Sequence, residues 1–226
     1  MICSIADITT DIPTEGGMDT FCSEYVIKGT SEASIIIDAS RYNIANWPGL
    51  NPDDLAYMES GQQFYVNLLR FKGMLLHSSC IVIDNAAYLI SGPCGVGKST
   101  HTKLLNNYYG GEIINDDKPA LRLSKGQWIA YGTPWSGKHH ININTSAPIK
   151  AICFMSRDRS SNSIRKLDAF QAMANLMSQT TFRLDEKYMG KLLDLIEQLV
   201  SQVPIYEMES LANEESARLL YETMKG

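Results

Sequence analysis

The sequence predicts an α/β (α+β) protein. Three observations point there: short β-type runs with turn residues between them, segments of helical spacing mixed among them, and a glycine-rich turn joining an apolar run to a helical pattern. The 226 residues divide into a small β-rich N-terminal subdomain over 1–50, a connecting helix over 51–74 and a core over 75–226.

In the first region the runs Ile2 to Ile8, Glu24 to Ile27 and Ser34 to Asp38 read as strands, punctuated by Pro13, Gly16-Gly17 and Gly29 and ended by Trp47-Pro48-Gly49. Asn51-Pro52-Asp53-Asp54 is a helix start with acids in the first turn. Leu55, Met58, Tyr65, Val66 and Leu69 then recur at helical spacing to about Arg70. Two strands follow, Met74 to Ile83 and Ala86 to Ser91, joined at Asp84-Asn85. A helix is predicted over Ser99 to Tyr109, stopped by Gly110-Gly111. Further strands are expected at Glu112 to Asn115, Ala120 to Leu123, Trp128 to Tyr131, Ile149 to Met155 and Ile205 to Met208. Helices are expected at Asp168 to Ser178, Asp185 to Gln202 and Glu214 to Met224.

Composition narrows the function classes. With 44% hydrophobic and 20% charged residues the chain is neither disordered nor fibrous, and no apolar run approaches the ~18 residues of a membrane span. A net charge of −5 argues against a general nucleic-acid binder, and no membrane partner is expected. Met1 to Asp7 lacks the basic and apolar segments of a secretory signal, so a cytoplasmic location is expected. The five cysteines are odd in number and contain no Cys-x-x-Cys pair, which indicates neither a disulfide framework nor a zinc site; four of them read as apolar fillers.

The informative stretch is Gly92-Pro93-Cys94-Gly95-Val96-Gly97-Lys98-Ser99-Thr100, which fits the phosphate-binding pattern Gly-x-x-x-x-Gly-Lys-Ser/Thr. Its glycines let successive N–H groups turn inward around an anion, and the following helix presents its positive end. Lys98 can reach the β- and γ-phosphates, and the Ser99 hydroxyl suits Mg²⁺. A glycine-rich turn without function is the competing reading, and the strand before and helix after oppose it. Cys94 sits inside the turn, where oxidation would block nucleotide binding.

Ile113-Ile114-Asn115-Asp116-Asp117 is an apolar strand ending in two acids. Neighbouring side chains on a strand point to opposite faces, so the two acids are expected to have different jobs, one on a metal and one on the attacking group, unless the strand has already broken. A guanine-specifying Asn-Lys-x-Asp segment is absent, which disfavours GTP.

Taken together, Leu76-His77-Ser78, the turn from Gly92 to Ser99 and Asn115-Asp116-Asp117-Lys118-Pro119-Ala120-Leu121 resemble the catalytic core of HPr kinase/phosphorylase, a phosphoenolpyruvate carboxykinase-like phosphate-loop family. The resemblance covers roughly residues 75–155 and implies a P-loop kinase core using ATP and Mg²⁺. It implies that Lys98 and the loop amides hold the phosphates and that Ser99 and Asp117 hold Mg²⁺. Asp116 would be the general base toward a substrate hydroxyl, with His77 beside it orienting that carboxylate. It also points to self-association. The chain departs from the family downstream, where Ala147 to Ile152 contains no Gly-Arg-Asn segment, so neither reverse phosphorolysis nor HPr as substrate is implied.

Gly132 to His140 is expected to form a loop over the active site, with Lys138 offsetting phosphoryl charge and His139 or His140 touching substrate; a structural turn with Trp135 in the core is the alternative. Arg157 and Arg159 read as solvated loop cations or phosphate contacts. The expected function is ATP-dependent phosphoryl transfer to a hydroxyl, most of all serine of a protein or peptide. The alternatives are a kinase of a small molecule such as free serine, and a nucleotide-binding regulatory protein without turnover.

Overall fold

The computed structural model describes residues 1–43, 45, 47, 49–157, 160–180 and 184–226. The expectations for Pro48 and Arg159 lie outside the described residues. Strands β1 (Ile2–Ile5) and β2 (Ile8–Asp11) form an antiparallel hairpin, and β3 (Ile35–Ile36) adds to it in parallel. The run from Ile2 to Ile8, expected as one strand, is therefore split. Ala6 and Asp7 both take positive φ, the backbone of a two-residue hairpin turn, although alanine gives no sequence signal for it. Glu24 to Ile27 is not a strand: Ser23–Tyr25 is a 3-10 turn, and only Val26 bridges to Cys3. A short helix α1 (Met18–Phe21) contacts the Ser23–Tyr25 turn and the long helix α2 (Pro52–Leu68).

Asn51 caps α2, its side chain accepting the Asp54 N–H at 2.7 Å, with Pro52 opening the first turn as its fixed φ favours. The expected strand over Met74 to Ile83 breaks at Leu76-His77 into β4 (Gly73–Leu75) and β5 (Ser78–Ile83). Strand β6 (Ala86–Ser91) follows a tight turn in which Asp84 and Asn85 have φ of 51° and 61°. Next come α3 (Lys98–Tyr109), β7 (Glu112–Asn115), β8 (Ala120–Ser124), β9 (Gln127–Tyr131) and β10 (Ser146–Met155). The chain ends with β11 (Ser163–Lys166), which sequence periodicity missed, α4 (Ala169–Thr180), α5 (Glu186–Gln202), β12 (Ile205–Glu209) and α6 (Glu214–Lys225).

Among the described residues these strands make a curled nine-stranded mixed sheet whose main path is β4-β8-β9-β10-β6-β5-β7, with β12 on β10 and β11 on β12. Strand β10 belongs to both halves. Ser146 to Pro148 pair antiparallel with β9, and beyond a register shift at Ile149/Ala151 the strand pairs in parallel with β6 and β12. Alternate residues serve opposite layers. Leu89, Ile152 and Phe154 face α4 and α5, whereas Tyr88, Ile90, Ala151 and Cys153 face α3 and α6. The N-terminal strands, α2 and the inner face of β8-β9 share a further core around Phe64, Tyr131 and Trp135. Cys3, Cys22, Cys80 and Cys153 are buried in these cores, and Cys94 is exposed. Among the described residues no helix is long and apolar enough to cross a membrane.

Strand directions bring three chain segments to one sheet edge. Strand β5 runs antiparallel to both β6 and β7, with Ser78 opposite Ser91 and Cys80 opposite Asn115. The start of β5 and the ends of β6 and β7 thus lie together, the location where ligands sit in open α/β sheets.

Candidate functional site

Beyond β6 the chain turns through Gly92, Gly95 and Gly97, with φ of 131°, 77° and 110°, and enters α3 at Lys98. Gly92 is required for a second reason: a Cβ there would lie 3.0 Å from the Met155 carbonyl at the end of β10. Lys98 is buried, and its ammonium donates to the carbonyls of Gly92 at 2.9 Å and Pro93 at 3.2 Å. Burial lowers its pKa, opposed by the nearby Asp117 charge.

The β7 strand ends because of Asn115. This side chain is fully buried, and its Oδ1 accepts the N–H groups of Asp117 at 2.9 Å and Lys118 at 2.6 Å, an Asx-type turn. Its amide nitrogen donates to the carbonyls of Thr133 at 3.0 Å and Trp135 at 3.2 Å. With the pleat broken, Asp116 and Asp117 need not point to opposite faces, and both line one cavity. The carbonyl of Lys118 is held by the hydroxyls of Tyr65 at 2.5 Å and Thr133 at 2.8 Å.

That cavity, about 530 Å³, is bounded by the turn and first residues of α3 from Cys94 to Lys103, by His77, Asp116 and Asp117, and by Gly137, Lys138 and His139. Its size suits a small-molecule ligand. Asp116 is buried and accepts the main-chain N–H groups of Gly137 at 2.6 Å and His139 at 3.3 Å. Asp117 faces His77 Nε2 at 3.1 Å through Oδ1 and is in contact with the Lys118 ammonium through Oδ2. Burial alone would raise the Asp117 pKa, but the His77 hydrogen bond and the Lys118 charge prevail and hold it down at about 2. On the other side of its ring His77 Nδ1 meets the Gln179 side chain at 3.0 Å, and its N–H donates to the Gln179 carbonyl.

Several expectations are corrected here. His77 stands beside Asp117, not Asp116, because its ring reaches across from the start of β5, whose Ser78 N–H is bonded to the Asp117 carbonyl. Trp135 is buried, stacked on Phe64 with ring centroids 4.9 Å apart and donating to Ser60 Oγ at 3.1 Å. The core alternative for it is therefore the observed one, while Gly137 to His139 beyond it border the cavity. His140 is exposed and does not line the cavity, its positive φ of 51° closing the loop. Gly92, Pro93 and Val96 also lie off the cavity wall, Val96 being buried against the α3 and α6 side of the sheet. Arg157 is exposed and away from it. Cys94, Gly95, Gly97, Lys98, Ser99 and Thr100 line the cavity.

Sequence reading gave no role to Asn115, Lys103, Lys118 or Gln179. An asparagine directly before two acids and Lys-Pro is a turn signal that could have found the first; Gln179 comes from α4 and carries no local signal. Tyr57 was also missed. Its hydroxyl donates to the Ser136 carbonyl at 2.9 Å and accepts the Ser136 N–H, pinning the loop that carries Gly137.

No protein-family model matches the chain, and no curated protein does. Among solved structures it is similar to the HPr(Ser) kinase/phosphatase from Coxiella burnetii, at 13% identity and a TM-score of 0.37. That match covers 67% of this chain and 93% of the other.

Proposed function

We propose that the chain is an ATP- and Mg²⁺-dependent phosphotransferase that moves the γ-phosphoryl group to a hydroxyl, serine of a protein or peptide being the foremost acceptor. One observation carries the reading: Cys94, Gly95 and Gly97 of the glycine-rich turn, Lys98, Ser99 and both aspartates border a single cavity. In this reading Gly92 to Ser99 is a phosphate-binding loop, and its amides with Lys98 and the α3 N-terminus hold the polyphosphate. Lys98 already leans on two loop carbonyls, and an incoming phosphate offers it a charged partner instead.

The oxygen donors Ser99 and Asp117 suit a hard divalent ion, and together they would hold Mg²⁺. Mg²⁺ would supply charge neutralisation on the phosphates. Asp116 is the general base: its carboxylate, fixed by two main-chain N–H groups, takes the proton of the acceptor hydroxyl as the oxygen attacks. His77 orients Asp117 rather than the base, as second-shell partners do for metal ligands. Lys138, on the loop beside Gly137, offsets charge on the transferring group, and His139 borders the acceptor side.

The test is steady-state ADP release with and without serine-containing peptides and free serine. Release that depends on the acceptor, and that Asp116→Asn abolishes while ATP still binds, supports the reading. Turnover of Asp116→Asn at the parent rate refutes the assignment of the base.

A further inference from the structure

Both carboxylate oxygens of Asp117 are taken by side-chain nitrogens, one on His77 and one on Lys118. The two partners differ in freedom. His77 is fixed through its ring and its main chain to Gln179. The main chain of Lys118 is equally fixed, its N–H on Asn115 and its carbonyl on Tyr65 and Thr133. Its ammonium, however, ends a flexible four-carbon stem and can leave Asp117 with no main-chain movement.

Lys118 also lines a second cleft, about 190 Å³, with Tyr57, Glu59, Gln62 and Trp135. Glu59 is the acid on that wall, half-buried on α2. A divalent ion and an ammonium repel each other, so the Lys118 ammonium on Oδ2 weakens metal binding by Asp117 until it moves away.

We propose that Lys118 is a tethered cation that occupies the Asp117 oxygen until a divalent ion takes it, and then swings into the cleft beside Glu59. In either position the Lys118 ammonium has a carboxylate beside it, Asp117 before the exchange and Glu59 after it. The inference rests on the phosphotransferase reading only in naming Asp117 as the metal carboxylate. It makes Lys118 a positioning residue that couples metal loading to the cleft.

The experiment uses the full chain and Mn²⁺ without nucleotide, following free Mn²⁺ by electron paramagnetic resonance and tryptophan emission, since Trp135 borders the cleft. Lys118→Gln is expected to tighten Mn²⁺ binding by about tenfold, the value of one charge-assisted hydrogen bond. Lys118→Arg keeps the charge and should retain the parent affinity. Glu59→Gln should weaken Mn²⁺ binding in the parent and leave it unchanged in Lys118→Gln, where there is no ammonium to receive. Equal or weaker Mn²⁺ affinity in a folded Lys118→Gln, including no binding in either protein, overturns the proposal. A Glu59→Gln effect of the same size in both backgrounds overturns the cleft as the destination. Loss of acceptor-dependent ADP release with the Mn²⁺ pattern intact would sink the kinase reading and leave the exchange standing; the reverse result would sink the exchange alone.

Discussion

Replacing Asn115 by alanine tests whether one buried amide organises the whole site. Its side chain makes two hydrogen bonds as acceptor, to the N–H groups of Asp117 and Lys118, and donates to the Thr133 carbonyl and hydroxyl and the Trp135 carbonyl. At about 1 kcal/mol net for each good bond, and more where a buried main-chain group loses its partner, the substitution should cost about 3–5 kcal/mol. That is a large part of the roughly 5–15 kcal/mol that stabilises a typical domain. The turn would also relax toward a continued strand, whose pleat sends Asp116 and Asp117 to opposite faces. Urea unfolding followed by tryptophan emission reads the first effect. Mg²⁺-nucleotide affinity, measured in the cold where the variant is still folded, reads the second. Asn115→Asp keeps the accepting oxygen but sets a second oxygen against the Thr133 and Trp135 carbonyls, so it should be no better. A loss below about 0.5 kcal/mol in Asn115→Ala, with unchanged nucleotide affinity, would mean that Asn115 does not hold the turn.

Further outcomes follow from neighbouring geometry. The Asp117 pKa falls from 3.8 to about 2 on folding. Its stabilisation is therefore complete above pH 3.8 and is lost as pH drops through about 2, some 2 kcal/mol in all. His77→Ala should lower stability at pH 5 and much less at pH 2, as urea unfolding at the two pH values will show. Gly61→Ala, a change that favours an exposed helix by up to about 1 kcal/mol, should instead destabilise. The new Cβ would lie 2.9 Å from Trp135 Cδ1, and Trp135 is held between Phe64 and Ser60. A net loss of about 1–2 kcal/mol is expected in thermal unfolding. Cys94 is the exposed cysteine and borders the cavity, whereas the other four are buried. One thiol should react rapidly with an aromatic disulfide reagent in the native state, and Mg²⁺-ATP should slow that reaction.

How far the sequence reaches depends on the range of the interaction. Helices α2, α3, α5 and α6 were legible because caps and apolar spacing are local: Asn51 and Asp185 each accept an N–H from the first turn, as their positions suggest. The hairpin at Ala6-Asp7 was not, because cross-strand pairing there forces positive φ on Ala6, which has little preference for it. Strand β11, mostly polar and exposed, gave no apolar pattern and exists through its pairing with β12. In the site, the glycine-rich turn and the acid pair were visible as motifs. Which acid His77 meets was not, since that follows from β5 lying between β6 and β7. The sequence left Trp135 open between a loop over the site and the core, and the packing of α2 against that loop makes it core.

In the proposed function the turn from Gly92 to Ser99 and the twin acids form one seat for a magnesium-bound polyphosphate. Calorimetric titration with Mg²⁺ and a non-hydrolysable ATP analogue tests it most directly, with the parent and Lys98→Ala side by side. One binding event per chain, weakened by about tenfold or more in the variant, is the predicted result. No heat in the parent, or equal affinity in a folded Lys98→Ala, would contradict it.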